Sequence, residues 1–306
     1  MRPLLHELVV TVSGGDLISA DQLTIQTKPA LTNAVMLMGL TGWMDGGDVS
    51  TGTIDYLVEK LDAQPFARIE PDDFFILNFP GSMEISALFR PHLKIEDGLV
   101  HAFDMPDNRF YFDATHNLVL FSGKEPNVRW TDYVRCVLAA ASVANVERIF
   151  FVGSVGGLVP HTREPRMFSS VSHADMKAVL QPHGINFTNY EGPGSVISYM
   201  MTMVDERGPE MATLVAEIPP YVQGRNIRCI AAVIRKLSAV LEMPVDLDEL
   251  RPQCDEMERR INELVKERKE LADHIRRLEE DYDNEVFDTQ MGDLKDWLQQ
   301  QGVRVD

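Results

Sequence analysis

Apolar and polar positions change period several times along the 306 residues of this chain. Two short runs, Ala34 to Leu40 and Arg148 to Val152, are apolar on every side. Such runs, rich in strand formers, predict central parallel strands buried on both faces. Further strands are predicted at Phe66–Glu70, Phe74–Phe79, Leu118–Phe121, Ile185–Tyr190 and Thr213–Ile218, and a short one near Leu8–Val12 in an N-terminal arm of residues 1–33. Leu99–Phe103 and Arg109–Asp113 suggest a hairpin excursion. Helical spacing takes over between these runs. Ile54, Leu57, Val58 and Leu61 form one stripe, in a helix capped by Asp48 or Ser50. Ile227, Ile230, Ile234 and Leu237 form another over 226–241, and an Ala-rich helix over 128–144 can lie close to a sheet. Shorter helices are expected at 83–88, 173–180 and 195–205. From residue 117 to 241 strand and helix alternate, which predicts a mainly parallel sheet covered on both faces.

The pattern changes at Pro244. Beyond it Gly is rare and charge rises. Met257, Ile261, Leu264, Arg268, Leu271, Ile275, Leu278 and Tyr282 step by four and three, a heptad seam interrupted once by a charge at Arg268. A long helix over about 253–282 and a shorter one over 284–300 are expected. The division is thus an α/β domain of residues 1–243 and a helical appendage of 244–306. An apolar seam of this length needs a cover, either the same chain or another subunit.

Composition narrows the class. Hydrophobic residues at 44% and charged residues at 25% suit a globular protein. The net charge of −18 disfavours nucleic acid and anionic membranes as partners. From Val245 onward there are 19 Asp/Glu against 10 Lys/Arg, so the tail carries half of that excess. The opening Met-Arg-Pro-Leu-Leu-His-Glu does not read as a signal peptide, and no stretch approaches the ~20 apolar residues that span a bilayer. Three scattered cysteines, Cys136, Cys229 and Cys254, argue for reduced cytoplasm rather than a disulfide framework or a Cys-based metal site.

Candidate chemistry gathers at strand ends. After the 148–152 strand, Gly153, Gly156 and Gly157 permit turns, and His161, Thr162, Arg163, Glu164 and Arg166 crowd into six residues. Ligands of open α/β sheets bind beyond the carboxyl ends of strands, so this loop is either a site or a connection whose charges pair with each other. The loop Gly42-Trp43-Met44-Asp45-Gly46-Gly47-Asp48 also joins a strand to a helix. Its two carboxylates disfavour phosphate and leave a sugar, an amine, a hard cation, or a tight turn with a cap. Glu191-Gly192-Pro193-Gly194-Ser195 is the better anion cradle. The candidate pocket is therefore Asp45, Gly46, Gly47, Asp48, Gly156, His161, Thr162, Arg163, Glu191, Gly192, Gly194 and Ser195. Arg163 is expected to pair with Asp45, Asp48 or Glu191. No Rossmann, Walker, nucleophile-elbow or zinc-helix pattern occurs.

Three elements in this order carry a resemblance: Gly42-x-x-Asp45-x-Gly47 entering a helix, Pro160-His161-Thr162-Arg163 after a Gly-rich strand end, and Gly192-Pro193-Gly194 opening a helix. Over residues 34–240 the chain resembles the proteasome assembly chaperone type 2 family, in its actinobacterial and archaeal branch. The resemblance implies a three-layer α/β/α sandwich related to the nucleoside phosphorylase fold, with the tail forming a helical hairpin. It also implies a homo-oligomer, a trimer first, and proteasome subunits as candidate partners. Eukaryotic members dock through a tail ending hydrophobic-Tyr-x, whereas this chain ends Gly302-Val-Arg-Val-Asp306. No ATP-grasp set of lysine and metal-binding carboxylates is identifiable, and no cofactor or metal is expected. Two functions follow: a non-enzymatic assembly or scaffold protein, or a protein that binds a small anionic or nucleoside-like ligand at the strand-end cluster.

Overall fold

The computed structural model describes residues 9–11, 17–19, 22–204 and 208–300. The chain's opening and its Gly302–Asp306 end, both read above from sequence, lie outside the described residues, as does Asp205. In chain order the strands are β1 (Val9–Thr11), β2 (Leu17–Ser19), β3 (Leu23–Ile25), β4 (Ala34–Thr41), β5 (Gln64–Ile69), β6 (His92–Glu96), β7 (Leu99–Asp104), β8 (Arg109–Asp113), β9 (Leu118–Lys124), β10 (Val146–Gly156), β11 (Met167–Ser169), β12 (Asn186–Phe187) and β13 (Glu210–Ile218). The helices are α1 (Val49–Lys60), α2 (Met83–Ala87), α3 (Trp130–Val143), α4 (Met176–Leu180), α5 (Val196–Met203), α6 (Ile227–Val240), α7 (Arg251–Glu267) and α8 (Lys269–Gln300).

The main sheet runs β12-β11-β13-β10-β4-β9-β8-β5-β3. Its centre, β13-β10-β4-β9, is parallel throughout, and β8, β5 and β3 extend it antiparallel on one side. The unbroken apolar runs account for this centre. In β4, Met36, Met38 and Leu40 face one layer and Leu37 the other; in β10, Ile149 and Phe151 oppose Phe150 and Val152. Each face then demands helices, because a strand apolar on both sides has no surface to give to water. Tyr133 and Val137 of α3 and Ile197 of α5 cover the first face, and Ile54 of α1 and Ile230 and Ile234 of α6 cover the second. The result is an α/β/α sandwich.

Close approach fixes the α1 layer. Ser50 of α1 donates to the Val152 carbonyl at 2.5 Å and accepts from the Leu40 N–H at 3.0 Å, tying β4, β10 and α1 together. A Cβ at Gly39 would lie 2.5 Å from the Ser50 carbonyl oxygen, so only glycine allows this contact.

Three local expectations are corrected. Phe74–Phe79 is not a strand; Phe74 and Phe75 are buried from a loop, with Phe74 edge-on to Tyr133 at 5.4 Å. Leu99–Asp104 pairs with His92–Glu96 as a separate two-stranded ribbon, whereas Arg109–Asp113 joins the main sheet between β9 and β5. The turn decides it: Asp97 and Gly98 both have positive φ, 49° and 79°, as an Asp-Gly hairpin turn requires. The tail helix breaks at Arg268, in extended conformation, and not near residue 283. The charge that interrupts the heptad seam is thus where α7 ends and α8 begins.

Candidate functional site

The strand-end loops converge, but in two separate clusters. The first lies around residues 42–48. The Asp45 carboxylate accepts from the Thr51 N–H at 3.1 Å and the Thr51 hydroxyl at 2.8 Å, so Asp45 ties off the start of α1. Asp48 and Ser50, expected as caps, do not serve: Asp48 is left-handed with no side-chain cap bond, and Ser50 is used by β10. Burial pushes the Asp45 carboxyl above its ordinary range, against the pull of its Thr51 bonds. Ser154 donates to the Gly46 carbonyl at 2.6 Å, and the Gly47 carbonyl accepts from Asn226 N–H at 2.7 Å. Glu125, which follows β9 and was not singled out in sequence, accepts from Trp43 N–H at 3.0 Å and from Val196 N–H at 3.4 Å. It joins the 42–48 loop to the 192–195 turn. Ser195 is the buried N-cap of α5, accepting from Ser198 N–H at 3.2 Å, while Glu191, Gly192 and Gly194 are exposed.

The second cluster is the loop after β10, and it faces the chain's own tail. The Arg163 guanidinium grips Asp283 of α8 with two bonds, 2.8 and 2.7 Å, and lies 3.7 Å from Glu279. It pairs with neither Asp45, Asp48 nor Glu191. Thr162 donates to Glu279. Arg166 holds Glu217 and Glu285 and stacks over the Tyr282 ring at 4.6 Å. The Tyr282 hydroxyl donates to the Glu164 carbonyl at 3.0 Å. Arg228 of α6 pairs with Glu258 of α7 at 2.6 Å. The cations of the body and the carboxylates of the acidic tail therefore answer each other. Arg163 in turn holds the Asp283 carboxyl below its usual range.

His161 is buried. Its backbone N–H donates to the Tyr221 hydroxyl at 2.9 Å, its Nδ1 lies 3.0 Å from the same oxygen, and its Nε2 lies 3.3 Å from Asn262 Oδ1 of α7. A neutral ring protonated at Nε2 satisfies both side-chain contacts. Burial, helped by the Arg228 charge, lowers the imidazole below its ordinary value and favours that neutral form. The cavity beside it, lined by His161, Arg163, Glu217, Arg228, Cys229 and Glu258, encloses about 30 Å³. That is room for one or two waters, far below what a nucleoside needs. Cys229 there has its thiol pushed up to about 12 by burial, which makes it a poor nucleophile. Gly156 is exposed.

Among the described residues no group of three or more His, Cys, Asp or Glu is placed to hold a metal ion, and no helix is long and apolar enough to cross a membrane. Met200 of α5 is buried in the cluster that holds the buried side chains of α3, with Met201 and Met203 partly buried against it.

Fold and site together describe an α/β/α sandwich whose polar strand-end loop is closed over by its own helical tail. Residues 39–265 match the PAC2 family, and the chain belongs to that family. It is similar to the proteasome-assembly chaperone homologue of Mycobacterium tuberculosis, at 26% identity and a TM-score of 0.68, over 79% of this chain and 99% of that one. A PAC2 family protein from Streptomyces avermitilis shares 23% identity at a TM-score of 0.67, over 79% and 99%. A Mycobacterium tuberculosis protein of unknown function covers 86% of this chain and 91% of its own, with 20% identity and a TM-score of 0.75. The last two likenesses concern the fold. No curated protein matches the chain.

Proposed function

We propose that this protein is a non-enzymatic assembly or scaffold factor that self-associates, a trimer being the first choice, and binds a protein partner of the proteasome α-subunit kind. The observation that carries this reading is the fate of Arg163. The residue best suited to hold an anionic ligand is clamped bidentately by the protein's own Asp283. Asp45 and His161 are likewise engaged within the chain. The space at His161, which Arg163 also lines and Asp45 does not, holds one or two waters. The resemblance to a proteasome-assembly chaperone homologue supplies the class of partner. The helical tail is read as an appendage that stiffens the body.

The test is direct. The purified chain is mixed with the α-subunits of its source organism's proteasome and followed by co-elution and by the rate of ring assembly. Co-elution with altered assembly is expected. Stoichiometric binding of a nucleoside or phosphate that Arg163→Ala abolishes, with no subunit binding, would overturn the reading in favour of a small-molecule site.

A further inference from the structure

The heptad seam of the tail is covered for only part of its length. Ile275 and Leu278 of α8 are each buried to 5% exposure, whereas Leu264 of α7 is 50% exposed and Met257, Ile261 and Leu271 are half-buried. These last four side chains line a groove of about 1490 Å³. Its walls are α7, the bend at Arg268 and residues 221–227, which lead into α6.

The charge of this groove runs against that of the molecule. Arg225 lines it from the body, and Arg260, Arg268 and Lys269 from the tail, against the carboxylates of Glu256 and Glu270. Four cations less two carboxylates leave the groove positive in a chain of net −18. Glu256 is already answered, because Arg259 and Arg260 both donate to it. Arg225, Arg268 and Lys269 are exposed and form no ion pair among the described residues. Arg163, Arg166 and Arg228, by contrast, are all met by carboxylates of the chain's own tail. A cationic rim beside aliphatic side chains is complementary to a segment that mixes carboxylates with aliphatic residues, and the arginine fork suits a carboxylate. Size points the same way. Small-molecule pockets hold about 300–1,000 Å³, so a lone phosphate or sugar would leave most of this groove empty. The overall negative charge disfavours nucleic acid.

We infer that the groove between α7 and residues 221–227 is a docking site for an acidic, aliphatic segment of a protein partner. Arg225, Arg268 and Lys269 take its carboxylates, and the uncovered half of the seam takes its aliphatic side chains. This goes beyond the class of partner proposed above, since it holds for any protein that carries such a segment. The probe is a dye-labelled Glu-Leu-Glu-Glu-Leu-Leu peptide, followed by fluorescence anisotropy on the full chain, with the same peptide carrying Gln for Glu as control. The Glu peptide is expected to bind, more weakly as salt is added, and the Gln peptide is not. Arg225→Glu with Lys269→Glu should lower the affinity about tenfold or more, with unchanged circular dichroism because both side chains are exposed. Leu264→Glu should lower it through the aliphatic contact. A Glu peptide that does not bind, a Gln peptide that binds as tightly, or a charge-reversed variant that keeps the native affinity would overturn the inference. So would displacement of the peptide by inorganic phosphate, or tighter binding of an oligonucleotide, either of which would make the groove a general anion site.

Discussion

Two regions of the molecule make opposite use of their side chains. Between Val159 and Arg166 the sequence is dense in polar groups, and the fold meets them internally: Arg163 by Asp283, Arg166 by Glu217 and Glu285, His161 by Tyr221 and Asn262. Between Phe79 and Asp104 the sequence looks bland, yet nine of its large apolar side chains are exposed. Chemical richness in the first region is cement, and plain alternation in the second is an unfilled surface. A loop of charges facing an acidic helix of the same chain is an internal joint. A sheet face with no helix over it points outward.

The joint can be broken, and the largest effect is expected from its apolar part. Leu278 of α8 is buried to 5% exposure. Leu278→Ala should weaken tail docking by about 2–5 kcal/mol, the usual cost of emptying a buried leucine site. Limited proteolysis is the readout, with cleavage beyond Met243 accelerated and the sandwich body intact. A tail as resistant as before would mean that the seam contributes little.

A second, smaller effect concerns pH. Burial sets the folded His161 imidazole below its unfolded value of about 6.5, so in the window between the two values the unfolded chain binds more protons. Stability should therefore be fully present above about pH 6.5 and fall as pH drops through that window. His161→Asn should flatten that part of the profile in thermal melts recorded from pH 5 to 8. An unchanged slope would show that His161 does not set it.

The smallest effect is expected where the sequence looked most like a site. Arg163 is about a third exposed and its partner Asp283 about half, so the pair is screened by solvent. Arg163→Ala should cost about 1 kcal/mol or less, an effect that salt diminishes, and leave partner binding unchanged. Loss of partner binding with stability intact would return the loop to the status of a recognition site.

Local patterns were legible and distant pairings were not. The apolar runs of β4 and β10 and the stripes of α1 and α6 carry their burial in their spacing, because periodicity reports which faces must leave water. Ser195 reads as a cap because capping is a contact over three residues. Arg163 and Asp283 lie 120 residues apart, and nothing near either one selects the other. Thr51 as the partner of Asp45 was within reach, since six residues and one helix start separate them. The Asp97-Gly98 turn was also readable, and it would have set the ribbon at 92–104 instead of carrying the hairpin on to 113. The break at Arg268 needed both readings at once: a seam charge tolerable in a straight helix becomes a corner when both halves pack on the same body.

Amide hydrogen exchange on the full chain tests the contrast most directly. Residues 92–104, an isolated two-stranded ribbon, should exchange rapidly, while residues 159–166 should be protected by their bonds to the tail. A strongly protected ribbon together with a rapidly exchanging 159–166 loop would contradict the account.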